Sequence, residues 1–177
     1  MLRARLHHIT EAEAPERHAA LIEELRRTTD HSITVRRSEP PLARYTCAVH
    51  AFHLVEDRVY LRVATFGSGR TFAGSEFITF LLAHKLLTPR EEDAVVPGDL
   101  ILYFADGVFR HVGRMLTESR VLSKWGTGGL YEHEVWEVPC NYGDQTNYFT
   151  GPNADASLAL FVKYAENQGF QHGAPDA

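Results

Sequence analysis

The chain has 177 residues and a mass of 20.0 kDa, the size of one ordinary domain. Hydrophobic residues are 44% and charged residues 23%, which excludes extended disorder, collagen-like repeats and fibres. With 18 Lys and Arg against 23 Asp and Glu, the net charge is −5, which argues against a nucleic-acid binder held through phosphates and against attraction to an anionic membrane.

Two cysteines, Cys47 and Cys140, are too few for a disulfide scaffold, and no Cys-x-x-Cys pair suggests zinc bound by cysteine alone. Residues 1–9 lack the apolar run of a signal peptide. No stretch approaches the roughly 20 apolar residues of a membrane span. The expectation is a cytoplasmic protein, or one exported by a route without a signal peptide.

In chain order, residues 10–29 read as a helix, with Leu21, Ile22 and Leu25 as an apolar stripe among Glu and Arg. Thr10 to Glu13 fits a capping box, and Pro15 suits a start a few residues later. Residues 28–42 are polar, are broken by Pro40-Pro41 and read as loop. Residues 45–55 follow as a helix, with Thr46 as N-cap and Ala48, Ala51, Phe52 and Val55 as its buried stripe. Residues 59–65 are rich in β-branched side chains and predict a short strand, with Gly67-Ser68-Gly69 as a turn. Residues 75–87 carry Phe77, Ile78, Leu81, Leu82 and Leu86 at helical spacing, with Ser75 as cap and Pro89 beyond the end.

After Pro97-Gly98-Asp99 the pattern changes to strands. Residues 100–104 form an apolar strand and Asp106-Gly107 a hairpin turn. Residues 108–116 form a second strand with His111, Gly113 and Met115 on one face. Residues 120–125 and 131–138 make a third and a fourth, separated by a turn at residues 126–129, and Pro139 closes the fourth. Residues 158–165 end the pattern as a helix. Helices first, then an antiparallel meander, is the α+β arrangement.

A cysteine at a helix start is a candidate nucleophile, because the N-terminal end of a helix favours thiolate over thiol. Cys47 therefore carries the expectation of a pKa below that of a free thiol, and it needs a base. His111 is the candidate, in mid-strand beside Gly113, which leaves room for a backbone or substrate to approach. A third group must accept a hydrogen bond from the imidazole. Ser123 and neutral His133 can do so; protonated Lys124 cannot, and would depress the imidazolium by repulsion.

His50, three residues after Cys47, lies on the same helix face and lines the cleft, or takes the place of His111 as base. Trp125, Trp136 and Tyr131 are either cleft lining or core. A metal cluster of Cys47, His50, His53 and His111 is disfavoured, because the i, i+6 separation of Cys47 and His53 is poor ligand spacing on one helix. No metal and no cofactor is therefore expected. Cys140 reads as apolar filler at a turn, and Glu91-Glu92-Asp93 as solvated loop.

The run Pro97-Gly98-Asp99-Leu100-Ile101-Leu102-Tyr103-Phe104, followed by Arg110-His111-Val112-Gly113-Arg114-Met115-Leu116, resembles the core of the NlpC-type papain-like cysteine peptidases and amidases. The resemblance covers about residues 45–138. It implies a papain-like fold in one domain, with residues 1–44 as an N-terminal helix and loop, 45–138 as the catalytic core and 139–177 as a C-terminal loop and helix. It further implies that Cys47 is the nucleophile, that His111 is the base, and that a polar residue on a following strand, Ser123 or His133, completes a triad. His50, Lys124 and Trp125 would contact the substrate. That substrate would be a peptide or amide bond, with cell-wall peptide as one class. The chain departs from the family where Thr46-Cys47-Ala48-Val49 replaces the usual Asp-Cys-Ser-Gly. A non-catalytic binding module on the same fold, and an acyltransferase using the same Cys-His pair, are the alternatives.

Overall fold

In the computed structural model, which describes residues 1–37, 45–66, 71–126 and 128–170, the strand Leu100–Ala105 is buried on both sides and organises the rest. Leu100, Leu102 and Phe104 enter one apolar cluster, while Ile101 and Tyr103 enter another. Alternate residues of a strand face opposite ways, so the sheet is covered on both faces. The elements in chain order are α1 (Leu2–Ala12), α2 (Pro15–Leu25), β1 (Thr34–Arg37), α3 (Cys47–Ala51), α4 (Arg58–Phe66), α5 (Ser75–Ala83), β2 (Pro89–Arg90), β3 (Leu100–Ala105), β4 (Val108–Met115), β5 (Arg120–Lys124), β6 (Leu130–Glu134), β7 (Gln145–Phe149) and α6 (Ala154–Asn167). All seven strands join one antiparallel sheet in the order β1-β6-β5-β4-β3-β7-β2. The α+β class is as the sequence implies.

The two clusters divide the helices. Ala48, Val49, Ala51 and Phe52 of α3 pack with Phe77, Ile78 and Leu81 of α5 and Phe161, Tyr164 and Ala165 of α6 against Leu102 and Val112. On the other face, Leu6 and Ile9 of α1 and Ile22 and Leu25 of α2 cover Ile101, Tyr103, Met115, Val121 and Tyr131. Fully burying one such aliphatic side chain contributes about 1.5–3 kcal/mol before entropy is counted. The β3–β4 turn forms as the Asp106-Gly107 pair implies, with φ of 51° and 73°, a conformation that suits the right-handed twist of a hairpin.

Several expectations are corrected. The single helix over residues 10–29 is two helices. Pro15 has no N–H to continue α1 and instead opens α2, and Ala14 before it is extended. Thr10 is no cap: it sits in the last turn of α1, where its hydroxyl donates to the His7 carbonyl at 3.1 Å. The loop expected over residues 28–42 contains β1, an edge strand on which Thr34 and Arg36 are exposed, Arg36 pairing with Glu132. Residues 38–42 of that loop, with Pro40-Pro41, lie outside the described residues, as does the turn at Gly67-Ser68-Gly69.

The strand expected over residues 59–65 is helix α4. Tyr60, Val63 and Ala64 recur at helical spacing against the α3-side core, and Asp57 accepts the Tyr60 N–H at 2.8 Å. Packing of that stripe overrides the β propensity of Val59 and Val63. Ser75 is the first helical residue of α5, and Gly74 is the cap. The fourth meander strand ends at Glu134, short of residue 138, while the last helix is longer than residues 158–165 because Asn153 caps it by accepting the Ala156 N–H at 2.9 Å. Strands β2 and β7 have no counterpart in the sequence pattern. Among the described residues, no helix is long and apolar enough to cross a membrane.

Candidate functional site

Thr46 accepts the Val49 N–H at 3.2 Å and donates to the Ala73 carbonyl at 2.5 Å, which fixes the start of α3 and makes Cys47 its first residue. Helix α3 packs on β4 and β5 at a gap in the sheet. The β4–β5 ladder pairs Arg114 with Leu122 and Met115 with Val121 and goes no further along β4. Where it stops, the Val112 N–H meets the Cys47 sulfur instead of a β5 carbonyl. Cys47 thus plugs the split between two strands, with the body of its helix on one face of the sheet.

His111, one residue before Val112, is 1% exposed and turns to the other face. Its ring stacks on Tyr142 with centroids 4.0 Å apart and planes 14° from parallel, and it lies 5.6 Å from Tyr103. Tyr142 links the two halves of the site. Its hydroxyl lies at the Gly126 N–H, and its charge, were it ionised, would be felt by Cys47. The His111 Nε2 atom is buried and has no hydrogen-bond partner, the Cys47 thiol included. Burial pushes the His111 pKa well below its ordinary value, and His133 and Lys124 add repulsion, in the direction the sequence implies for Lys124.

Cys47 corrects an expectation. Burial pushes its thiol up rather than down; the Val112 and Ala48 N–H groups and the Lys124 charge offset this only in part. A helix of five residues carries too small a dipole to win against desolvation. At neutral pH the resting pair is therefore a thiol and a neutral imidazole.

The two orienter candidates are spent on each other. Trp125 Nε1–H donates to Ser123 Oγ at 2.9 Å, Ser123 lies 2.8 Å from His133 Nε2, and His133 Nδ1 lies 2.7 Å from the Glu134 carbonyl. These distances fit a neutral His133 with its proton on Nδ1, so that Ser123 donates to Nε2. Burial lowers the His133 pKa to about 4. Neither residue reaches His111 Nε2. The sheet does bring Ser123 under Gly113, where a Cβ would stand 3.0 Å from Ser123 Cβ. Ser123 and His133 are thus a buried brace beneath the site, bonded to each other rather than to His111 Nε2.

The substrate-contact candidates separate. Trp125 is fully buried and belongs to the core, packed on Tyr131 and His133. Trp136 is 43% exposed and packs edge-on to Tyr103. His50 is half-buried; its Nδ1 lies 2.9 Å from the Tyr45 hydroxyl, and burial first, then His53, Arg114 and Lys124, lowers its pKa to about 4. Lys124 is 1% exposed, beside Cys47 on the α3 side of β5. Beyond them, Arg114 bonds His53 and donates to the Pro152 carbonyl at 2.6 Å.

Cys140 is exposed rather than filler: the short turn Cys140–Tyr142 points it outward and Tyr142 inward. Tyr142 is the site residue that sequence reasoning missed, since nothing in Cys140-Asn141-Tyr142-Gly143 differs locally from an ordinary turn. Among the described residues, no group of three or more His, Cys, Asp or Glu is placed to hold a metal ion. A cleft of about 530 Å³ between α1 and α2, lined by Ala4, His8, Leu21 and Leu25, holds none of the site residues.

Comparison of the chain with protein-family models, with curated proteins and with solved structures finds no match to any of them.

Proposed function

We propose that this protein is a papain-like thiol hydrolase that cleaves a peptide or amide bond through Cys47 and His111. The observation that carries the proposal is the buried, unpartnered Nε2 of His111, one residue from the N–H that meets the Cys47 sulfur. A buried polar atom without a partner costs about 1–3 kcal/mol and calls for an explanation; a resting general base is one. In the proposed reaction the Cys47 sulfur attacks the carbonyl carbon while its proton passes to neutral His111. The imidazolium then gives that proton to the leaving amine. Water, deprotonated by His111, releases the acid from the thioester and restores the thiol. The raised thiol and lowered imidazole favour transfer of the proton in step with attack over a preformed ion pair.

A second reading, a binding module without turnover, is favoured by the stacking of His111 on Tyr142, which leaves the imidazole held as an ordinary core ring.

p-Nitrophenyl acetate separates the two. The hydrolase forms an acetyl-enzyme at Cys47, located by peptide mass spectrometry, and releases acetate with turnover. Cys47→Ser abolishes the adduct, and His111→Asn slows acylation by roughly 100-fold or more. Acetylation of exposed Cys140 in preference to Cys47, or a rate indifferent to His111→Asn, rejects the hydrolase.

A further inference from the structure

The site contains a charge that the hydrolytic scheme does not use. Lys124 is 1% exposed, and among the described residues no carboxylate forms an ion pair with it. Buried lysines are rare, and an uncompensated one costs several kcal/mol. Its Nζ is held in place by donation to the Gly126 carbonyl and lies 5.3 Å from the centre of the Tyr45 ring. Both contacts are neutral. Tyr45 precedes Cys47 by two residues, and Gly126 supplies the N–H at the Tyr142 hydroxyl, so both anchors belong to the wall around the sulfur. Strand alternation puts Leu122 and Lys124 on the α3 face of β5, while Ser123 goes to the other face with His133.

We infer that Lys124 is a positioning residue whose ammonium is the resident countercharge for the Cys47 thiolate, and so for the anion that forms on sulfur when His111 takes the proton. The inference deepens the hydrolase reading and rests on it.

The groups around the sulfur agree on this role. From β4 comes the Val112 N–H. From the Cys140–Tyr142 turn comes the neutral Tyr142 hydroxyl. From α3 itself comes the Ala48 N–H, and the imidazoles of His50 and His111 are neutral at rest. Lys124 is the full positive charge whose attraction the thiolate feels, and the thiolate returns the effect on Lys124. Burial lowers the Lys124 pKa to about 8, so near pH 7 the group is mostly charged. Above pH 8 it loses its proton, and the support for the thiolate fades with it. Lys124 also adds, after burial and His133, to the depression of His111: a cation at the sulfur favours thiolate and disfavours imidazolium, which returns the proton to the leaving group readily.

The test measures the rate at which iodoacetamide alkylates Cys47 in the full chain carrying Cys140→Ser, from about pH 6.5 to about pH 9. Lys124→Met slows alkylation at pH 7 by about tenfold or more, the effect of removing an opposite charge at close range, and the gap to the parent narrows above pH 8 as Lys124 itself loses its proton. Lys124→Arg restores the rate at pH 7, which a merely structural role would not do. A rate at pH 7 unmoved by Lys124→Met overturns the inference. Should Lys124→Met fail to fold, the parent is compared with Lys124→Arg across pH 8: the parent rate flattens there as the ammonium is lost and the Lys124→Arg rate keeps rising, and two profiles of the same shape refute the pairing. The two claims fail separately: an acetyl-enzyme with no Lys124 effect keeps the hydrolase and removes the countercharge. A Lys124 effect with no acetyl-enzyme establishes the countercharge and removes the hydrolase.

Discussion

Acid should loosen this protein through His133, by an amount that follows from its burial. The ring is fully buried, its Nδ1 lies 2.7 Å from the Glu134 carbonyl, and its Nε2 lies 2.8 Å from Ser123. Protonating Nε2 would put two donors face to face with Ser123, whose oxygen already takes the Trp125 N–H. Burial, against which the Glu134 carbonyl gives only partial support to the charged ring, lowers the folded pKa from 6.5 to about 4. The unfolded chain binds the proton first. Stability from this group is therefore fully present above pH 6.5 and is lost as pH falls from there towards 4. The linkage relation gives a loss of about 2.5 kcal/mol at pH 4.5, with full separation of the two pKa values worth about 3 kcal/mol.

The perturbation is His133→Gln, which keeps an acceptor for Ser123 and an N–H for the Glu134 carbonyl but does not titrate. Urea unfolding of both proteins from pH 7.5 to pH 4.5 gives two stability curves. The contribution of His50, which also titrates low, is common to both and cancels in the difference; that of His111 differs only by the repulsion from His133, a smaller cause than its burial. The parent should lose about 2.5 kcal/mol more than the variant by pH 4.5. Parallel curves would refute the argument, because they would mean that His133 charges inside the fold without penalty.

Two further outcomes test the packing around the site. Ser123→Ala leaves the Trp125 Nε1–H and His133 Nε2 buried without partners, which costs about 3 kcal/mol and lowers Tm by roughly 6–12 °C; a drop under about 2 °C would show that the brace does not hold the sheet. Gly113→Ala drives a Cβ to 2.5 Å from Val121 Cγ1 and 3.0 Å from Ser123 Cβ, and destabilises by about 1–3 kcal/mol in urea. Unchanged stability in that variant would mean that β4 and β5 stand further apart than described.

The sequence alone determined the local events. Thr46 before Cys47 made a capped helix start, because a hydroxyl one turn ahead of a free N–H is a short-range geometry. Asp106-Gly107 made the hairpin, and the continuous apolar run of residues 100–104 made a strand buried on both faces. Pro15 was legible as a helix start, while the separate helix α1 that ends before it was not. The tertiary structure decided everything that depends on what a segment is pressed against. Val59 and Val63 became helical because Tyr60, Val63 and Ala64 had a core to meet. Thr34–Arg37 and Gln145–Phe149 became strands because partner strands offered them hydrogen bonds, which no property of their own residues announces.

The site followed the same division. Cys47 and His111 were legible as candidates for a nucleophile and a base from residue type and motif. Their protonation was not, since it is set by desolvation, and burial is a property of the surroundings. Ser123 and His133 looked like orienters because each can accept a proton's hydrogen bond; the sheet register brought them within 2.8 Å of each other, and neither reaches His111 Nε2. Tyr142 and Lys124 gained their places beside the sulfur from chain segments nearly a hundred residues and nearly eighty residues away in sequence. Contacts of that separation come from the closing of the sheet, and the closing of the sheet is what the order of residues along the chain does not display.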